Sequence, residues 1–382
     1  MLTGLDDSLW HQLPTTFDHV GTSDPRFFDR LWFAASDRVG GGTLQFTMGV
    51  YQNMNVVDGG FVVIANGRQH NLRVSRSLRP RYVHDCGPLA IDVREPMKRI
   101  GLSVAANASG LSAELEWIAS DPPQEERPHY ARLSGRVLED YSRYDQIGSC
   151  QGWVEIEGER LPVDSWWACR DHSWGVRERV GIPEPVTGPP AGAASGGGLF
   201  AFLFYSTPEF SGHVQVTRRA EGLNHSTVEI IDRATGVSAL GERVGIEAEF
   251  VDTDRPRRVA KAAFEVHLQG GRAVQIEVEA LGSPIAMQGL GYGGYNDELG
   301  LGVWRGEQFQ ESDVWDVTHP ARVAYPDGSA GRPVHRIQPV RVRQRDADGT
   351  GADRATVSEG TGSLTFIAEL PMDGERLQLP PS

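Results

Sequence analysis

Most of this chain consists of short runs in which apolar and polar residues alternate, and that pattern restricts its fold more than any other. Clear examples are residues 43–52 (TLQFTMGVYQ) and residues 272–279 (RAVQIEVE). A period of two is typical of half-buried strands, because successive side chains point to opposite faces. Turn residues separate the runs, and Asn66-Gly67 is a strong hairpin signal. With no long helical period anywhere, the sequence predicts an all-β fold.

The strand-like runs fall into two halves separated by residues 179–198 (RVGIPEPVTGPPAGAASGGG), where Pro, Gly and Ala dominate and nothing is periodic. Such a composition is typical of a linker or a long mobile loop. We therefore predict an N-terminal β domain over residues 1–178 and a C-terminal β domain over residues 199–382. The 382 residues are enough for two domains. Eight-stranded barrels that hold one small ligand fit a chain of this size when doubled, so we expect two β-barrel domains.

The charge balance limits the partners. The formal net charge of −14 argues against nucleic acid or an anionic membrane as the main partner, because both need a basic surface. The first residues lack a secretory signal and no apolar run reaches the length of a membrane span, so we expect a cytoplasmic protein without a membrane span. We further expect a monomer or a homodimer. Three widely spaced cysteines predict neither a disulfide framework nor a CxxC metal site.

Residues 166–177 (WWACRDHSWGVR) are the densest group of chemically capable side chains in the chain. Read as a strand, they present two faces. One face carries Asp164, Trp166, Ala168, Arg170, His172 and Trp174. The other carries Ser165, Trp167, Cys169, Asp171 and Ser173. A cation, an imidazole and two indoles on one face predict a ligand-facing site, and a structural ion pair between Asp171 and Arg170 or Arg177 is the alternative.

The segment Asp171-His172-Ser173-Trp174-Gly175 resembles the Asp-His-x-Trp-Gly signature of the lipocalin-like hydroxyneurosporene synthase (carotenoid hydratase) superfamily. A closer resemblance is to bacterial two-domain relatives of uncharacterised function with Arg-Asp-His-Ser-Trp-Gly and a following Arg, here Arg170 to Gly175 and Arg177. Residues 292–297 (YGGYND) match a second stretch of those relatives. The resemblance implies two lipocalin-like barrels. It also implies activity such as hydration of isoprenoid double bonds, hydration of prenylated flavonoids or intramolecular cycloaddition.

Water addition to an alkene needs an acid, a stabilised cation and a base for the water. His172 suits the base and Trp174 the cation. Asp171 points away from His172 in a regular strand, so it serves as the acid only if a bulge re-aims it. Asp297 is the alternative acid. The predicted substrate-binding residues are Trp174, Arg170, Arg177, Trp166, Tyr205, Tyr292 and Tyr295.

Two functions follow from these residues. The first is a cofactor-independent hydratase, isomerase or cyclase acting on a hydrophobic terpenoid, steroid-like or polyketide molecule. The second is a non-catalytic carrier of a lipophilic ligand. An ionisable cavity residue without an ion-pair partner would favour the enzyme. Asp313, Asp316 and His319 are too few ligands for a metal site, so we expect neither a metal nor a cofactor.

Overall fold

The computed structural model describes residues 1–7, 9, 11–133, 135–181, 198–219, 224–251, 257–293, 299–319, 322–346, 357–369 and 376–381. Almost all of the regular structure in these ranges is β-strand. The helical segments that they contain are short 3-10 turns at Gly4–Asp7, Gln52–Met54 and Met287–Leu290. None of the helices in the described ranges is long and apolar enough to cross a membrane.

The strands of the first half are β1 (Phe27–Ser36), β2 (Thr43–Tyr51), β3 (Val56–Ala65), β4 (Arg68–Ser77), β5 (Asp85–Cys86), β6 (Leu89–Glu95), β7 (Arg99–Val104), β8 (Leu111–Ala119), β9 (Gln124–Glu125), β10 (His129–Leu133), β11 (Arg136–Ile156) and β12 (Glu159–Val176). The strands of the second half are β13 (Gly198–Ser206), β14 (Phe210–Arg219), β15 (His225–Asp232), β16 (Ser238–Phe250), β17 (Val259–Leu268), β18 (Ala273–Ala280), β19 (Ile285–Ala286), β20 (Phe309–Asp316), β21 (Val323–Ala324), β22 (Ala330–Gly331), β23 (Arg336–Asp346), β24 (Ser358–Ala368) and β25 (Arg376–Leu379).

The first sheet runs in the order β22-β21-β20-β4-β3-β2-β1-β12-β11-β8-β7-β6-β5, with β9 and β10 paired to β11. Every pairing in it is antiparallel, as short connections between neighbouring strands allow. The sheet curls around one apolar core, in which Phe46 and Phe61 from one end meet Leu102 and Trp117 from the other.

The second half contains a closed barrel of eight strands, β13 to β18 with β23 and β24. It closes because β15 pairs with both β14 and β16, and β13 pairs with both β14 and β24. Closure leaves this part of the sheet without a free edge. Apolar side chains fill the barrel, among them Leu203, Phe264 and Val342. The all-β prediction is confirmed, and the described residues form one closed eight-stranded barrel and a second large sheet.

Three strands of the second half leave the barrel and extend the first sheet. β20 pairs with β4 in register from Phe309 opposite Ser75 to Asp316 opposite Arg68, and β21 and β22 follow it. The division into residues 1–178 and 199–382 stays a prediction. β20, β21 and β22 belong to the second half by sequence but to the first sheet by pairing. Of the predicted linker 179–198, the described residues are 179–181 and 198.

A third apolar cluster joins the two sheets. Trp32 and Trp167 from the first sheet pack with Phe202 and Phe204, which lie on the outer face of the barrel. The rings of Trp32 and Phe204 are 6.1 Å apart between centroids. Around Trp32 and Trp167, β1 and β12 therefore bury both of their faces, one in the core of the first sheet and one against the barrel.

Candidate functional site

A cavity of about 710 Å³ lies between the first sheet and the outer face of the barrel. That volume is within the usual range of small-molecule sites. Aromatic rings form much of its wall: Trp32, Tyr141, Phe200, Phe202, Phe204 and Tyr292. The polar groups that line it include His129, Arg143, Asp171, Arg177, Gln215, His225 and His335. The arrangement suits an apolar molecule that meets a few ionisable groups.

Asp171 reaches the cavity because β12 is a regular strand at this point. It lies opposite Trp32 on β1 and opposite Asp145 on β11, and neither pairing shows a register shift there. The bulge that would re-aim Asp171 toward His172 is therefore absent from this described stretch. No bulge is needed, since the cavity is on the face that Asp171 already occupies.

Three carboxyl groups surround one guanidinium beside the cavity. Arg143 forms a bidentate pair with Glu126, at 2.8 and 2.9 Å. Its nitrogens are also 3.9 Å from a carboxyl oxygen of Asp145 and 4.0 Å from one of Asp171. A single positive charge cannot balance three carboxylates in a largely buried site. At least one of the three carboxyls is therefore expected to hold a proton near neutral pH.

The pKa shifts distinguish one carboxyl with a lowered pKa from two carboxyls with raised pKa. Burial raises the pKa of Asp171, although Arg143 opposes the shift. Burial and the neighbouring Glu126 carboxylate raise the pKa of Asp145 well above its ordinary value. For Glu126, burial is outweighed by the charge of Arg143 and the hydrogen bond to His129, which hold its pKa well below the ordinary range. Of the two carboxyls with raised pKa, Asp171 lines the cavity.

Neutral imidazoles lie next to these acids. Burial lowers the pKa of His225 to about 4, and its ring is 4.3 Å from that of His129 between centroids. His129 Nε2 is 2.6 Å from a carboxylate oxygen of Glu126. Burial also lowers the pKa of His213 to about 4, and its Nδ1 is 3.7 Å from Asp145. A neutral imidazole that lines the cavity, such as His225, is able to accept a proton from water.

Tyr292 also lines the cavity. Its hydroxyl oxygen accepts a hydrogen bond of 3.1 Å from Nε of the buried Arg30. Arg30 is held in turn by Asp58 at 2.5 Å and by Tyr51 at 2.6 Å. Asp58 also accepts a hydrogen bond of 2.7 Å from the backbone N–H of Gly302. This bond holds Gly302 against the first sheet. Because the oxygen of Tyr292 accepts from Arg30, its own proton is available to a ligand.

Among the residues predicted from the sequence, the structure brings Asp171, Arg177 and Tyr292 together at the cavity. His172 is on the other face of β12, where its Nε2 is 2.7 Å from Asp29 and its Nδ1 is 3.2 Å from the Tyr144 hydroxyl.

The remaining predicted residues also lie away from the cavity or outside the described ranges. Arg170 donates to Gln146 at 2.7 and 3.1 Å beneath the same face as His172. Trp174 packs edge-on against His172, with 5.2 Å between ring centroids. Trp166 packs against the core of the first sheet, and Tyr205 is inside the barrel. Asp297 and Tyr295 lie outside the described residues. The roles predicted for all of these residues stay predictions.

The alternative ion pairs of Asp171 with Arg170 or Arg177 do not form in the structure, and the cation nearest Asp171 is Arg143. Sequence reasoning missed Arg143, Glu126 and Asp145. Arg143 and Asp145 alternate on β11, opposite Ser173 and Asp171, and that alternation of charge was the available signal. Glu126 follows a polar, Pro-rich stretch that is typical of a surface loop, yet its side chain is fully buried.

The described residues contain no group of three or more His, Cys, Asp and Glu side chains placed to hold a metal ion. In the stretch considered for a metal, Asp313 accepts a hydrogen bond from Asn71 at 2.8 Å and pairs with Arg73 at 3.1 Å. Its carboxylate therefore serves to attach β20 to β4.

Comparison of the chain with protein-family models gives one match, which covers residues 2–352. The chain belongs to the DUF8625 family. That family is described as one of unknown function, so membership adds no activity to the geometry of the cavity. No curated protein matches the chain.

Among solved structures, the chain is similar to CghA, with a TM-score of 0.50 and 9% identity over 91% of this chain and 90% of that one. Kievitone hydratase from Nectria haematococca gives a TM-score of 0.49 and 9% identity over 89% of each chain. The likeness to CghA shows the fold and agrees with the lipocalin-like β architecture. At this identity it says nothing about residues or reactions.

Proposed function

We propose that this chain is an enzyme that protonates a hydrophobic small molecule held between the two sheets, with Asp171 as the acid. The observation that carries the proposal is the cluster of three carboxyl groups around Arg143, from which the partly buried Asp171 faces the cavity. A carboxyl whose pKa is raised by burial is the kind of group that gives a proton to a weakly basic carbon.

The reaction begins when Asp171 transfers its proton to one carbon of a double bond. The π electrons form the new C–H bond, and the neighbouring carbon becomes a cation. The faces of Trp32, Phe202 and Phe204 stabilise that charge, because aromatic faces are electron-rich. In an apolar wall this attraction is stronger than it is in water.

Three outcomes complete the cycle without any external electron donor. If water adds to the cation, a neutral imidazole such as His225 takes its proton, and the net change is hydration. Loss of a proton from the adjacent carbon gives an isomer. Attack by a second double bond of the same molecule, followed by proton loss, gives a ring. In each case the released proton returns to Asp171, so the enzyme is unchanged and needs no cofactor.

The test compares Asp171→Asn with Asp164→Asn, an exposed carboxylate on the same strand. The ligand that co-purifies with each protein is extracted and identified by mass spectrometry. It is then incubated in deuterium oxide with the wild type and with each variant. We expect deuterium from the solvent to appear on a ligand carbon. Asp171→Asn should slow this transfer by about 10²–10⁴-fold, and Asp164→Asn should not.

Thermal unfolding of both variants checks that the Asp171 change leaves the protein folded. The carrier hypothesis makes the opposite prediction. Under it, all three proteins retain the same ligand, and none of them introduces deuterium. That result would remove the proposed acid and leave binding as the function of the cavity.

A further inference from the structure

Two arginines at the end of β12 line the cavity without a carboxylate partner. Arg177 and Arg179 both contribute to its wall, and neither forms an ion pair with a described carboxylate. The guanidinium of Arg177 lies over the ring of Phe28, 4.3 Å from its centroid, and 5.9 Å from that of Tyr292. Arg143, by contrast, is fully engaged by the acid cluster.

Carboxylates also line the cavity, but none of those described forms an ion pair with either arginine. They are Glu139, Glu178 and Glu369, of which Glu139 and Glu178 take part in other interactions. The partly buried imidazole of His335 also lines the cavity, and its ring is 5.7 Å from that of Tyr292. Burial, reinforced by the two arginines, lowers the pKa of His335 to about 4, so near neutral pH it adds no charge. The guanidinium of Arg177 is therefore available to an anionic group of a ligand.

We propose that the ligand of this cavity is an amphipathic acid whose carboxylate binds Arg177 and whose apolar body lies against the aromatic wall. The proposal rests on the cavity of the proposed function and names the substrate class of that site. A guanidinium presents a planar row of donors that matches a carboxylate, and the surrounding apolar wall strengthens the contact.

The position of Arg177 favours binding through the edge of its guanidinium. One flat face lies over Phe28, which leaves the row of N–H donors along the edge for a ligand. The two coplanar oxygens of a carboxylate match that row. With the head group held there, the apolar body extends along the cavity toward Asp171, which lines the same wall.

The experiment titrates the protein with pyrenebutanoate and with its neutral analogue pyrenebutanol, following pyrene fluorescence. We expect the wild type to bind the acid more tightly than the alcohol. Arg177→Gln should weaken binding of the acid between about tenfold and about 100-fold, the range of a hydrogen bond to a charged group, and leave the alcohol unchanged. The matched control is Arg160→Gln, because Arg160 also lies over an aromatic ring, 3.7 Å from the centroid of Trp153, but outside the cavity.

Several results would overturn the proposal. They are equal affinity of the wild type for acid and alcohol, no saturable binding of the acid, or an equal loss of affinity in Arg160→Gln. Stronger displacement of the acid by inorganic phosphate than by acetate would also reject a carboxylate head group. The titration involves no reaction, so its failure leaves proton transfer by Asp171 standing, and failure of the deuterium test leaves the carboxylate site standing.

Discussion

Asp145→Asn should make this protein more stable, although it removes a charge next to an arginine. Both carboxyl oxygens of Asp145 are buried, and in the ionised form neither accepts a hydrogen bond in the structure. The residue also lies directly opposite Asp171 on the neighbouring strand, and like charges in that position repel.

The expected size of the effect follows from the unsatisfied group. A buried polar atom without a partner costs about 1–3 kcal/mol. An Asn side chain keeps the shape of Asp145, carries no charge and offers N–H donors to the neighbouring Glu126 carboxylate. We therefore expect the free energy of unfolding to rise by about 1–3 kcal/mol near neutral pH.

The gain in the free energy of unfolding should increase as the pH rises. Burial, and next the Glu126 carboxylate, raise the pKa of Asp145 in the folded state above its ordinary value of 3.8. Between the ordinary pKa and the raised pKa of the folded state, the folded protein binds more protons than the unfolded protein. Wild-type stability therefore falls as the pH rises. The loss is about 1.4 kcal/mol for each pH unit within that window. The variant lacks this loss, and its advantage should grow from about pH 4 upward.

Urea unfolding followed by tryptophan fluorescence at about pH 5 and about pH 7 measures both effects. The control is Asp140→Asn, which changes an exposed carboxylate on the same strand and should be nearly neutral. A variant less stable than the wild type at both pH values, or a difference that stays constant between them, would refute the reasoning.

Two further predictions address neighbouring residues. Glu126→Gln removes the anion paired with the buried Arg143, and should lower the free energy of unfolding by about 3–5 kcal/mol in the same urea experiment, whereas an unchanged midpoint would show that the pair adds nothing. His172→Gln lies on the face of β12 away from the cavity, so deuterium transfer to the ligand should continue at the wild-type rate. Loss of deuterium transfer with an unchanged melting temperature would instead show that His172 takes part in the reaction.

The strands were predictable because their signal is local. The run at residues 43–52 corresponds to β2 at Thr43–Tyr51, and the run at residues 272–279 to β18 at Ala273–Ala280. The two faces of the motif strand were also predictable, since β12 keeps its period of two through Asp171 and His172.

The side of β12 that carries the cavity was not predictable from this period. That choice depends on the barrel packing its Phe202 and Phe204 against Trp32, a contact between distant parts of the chain. Glu126 was missed for a related reason. Its local composition is typical of a surface loop, and its burial depends on Arg143 of β11 and His129 of β10, which both contact its carboxylate.

The pairing of β20 with β4 has a consequence for how the protein is made. About 240 residues separate the end of β4 at Ser77 from the end of β20 at Asp316. At ordinary rates of synthesis, a ribosome needs roughly 10 to 50 seconds to cover that distance. During that interval β4 is an unpaired edge, open to strands of other nascent chains. Newly made copies are thus most exposed to mispairing before the chain has passed residue 316, and a chaperone that shields strand edges would act on this protein in that interval.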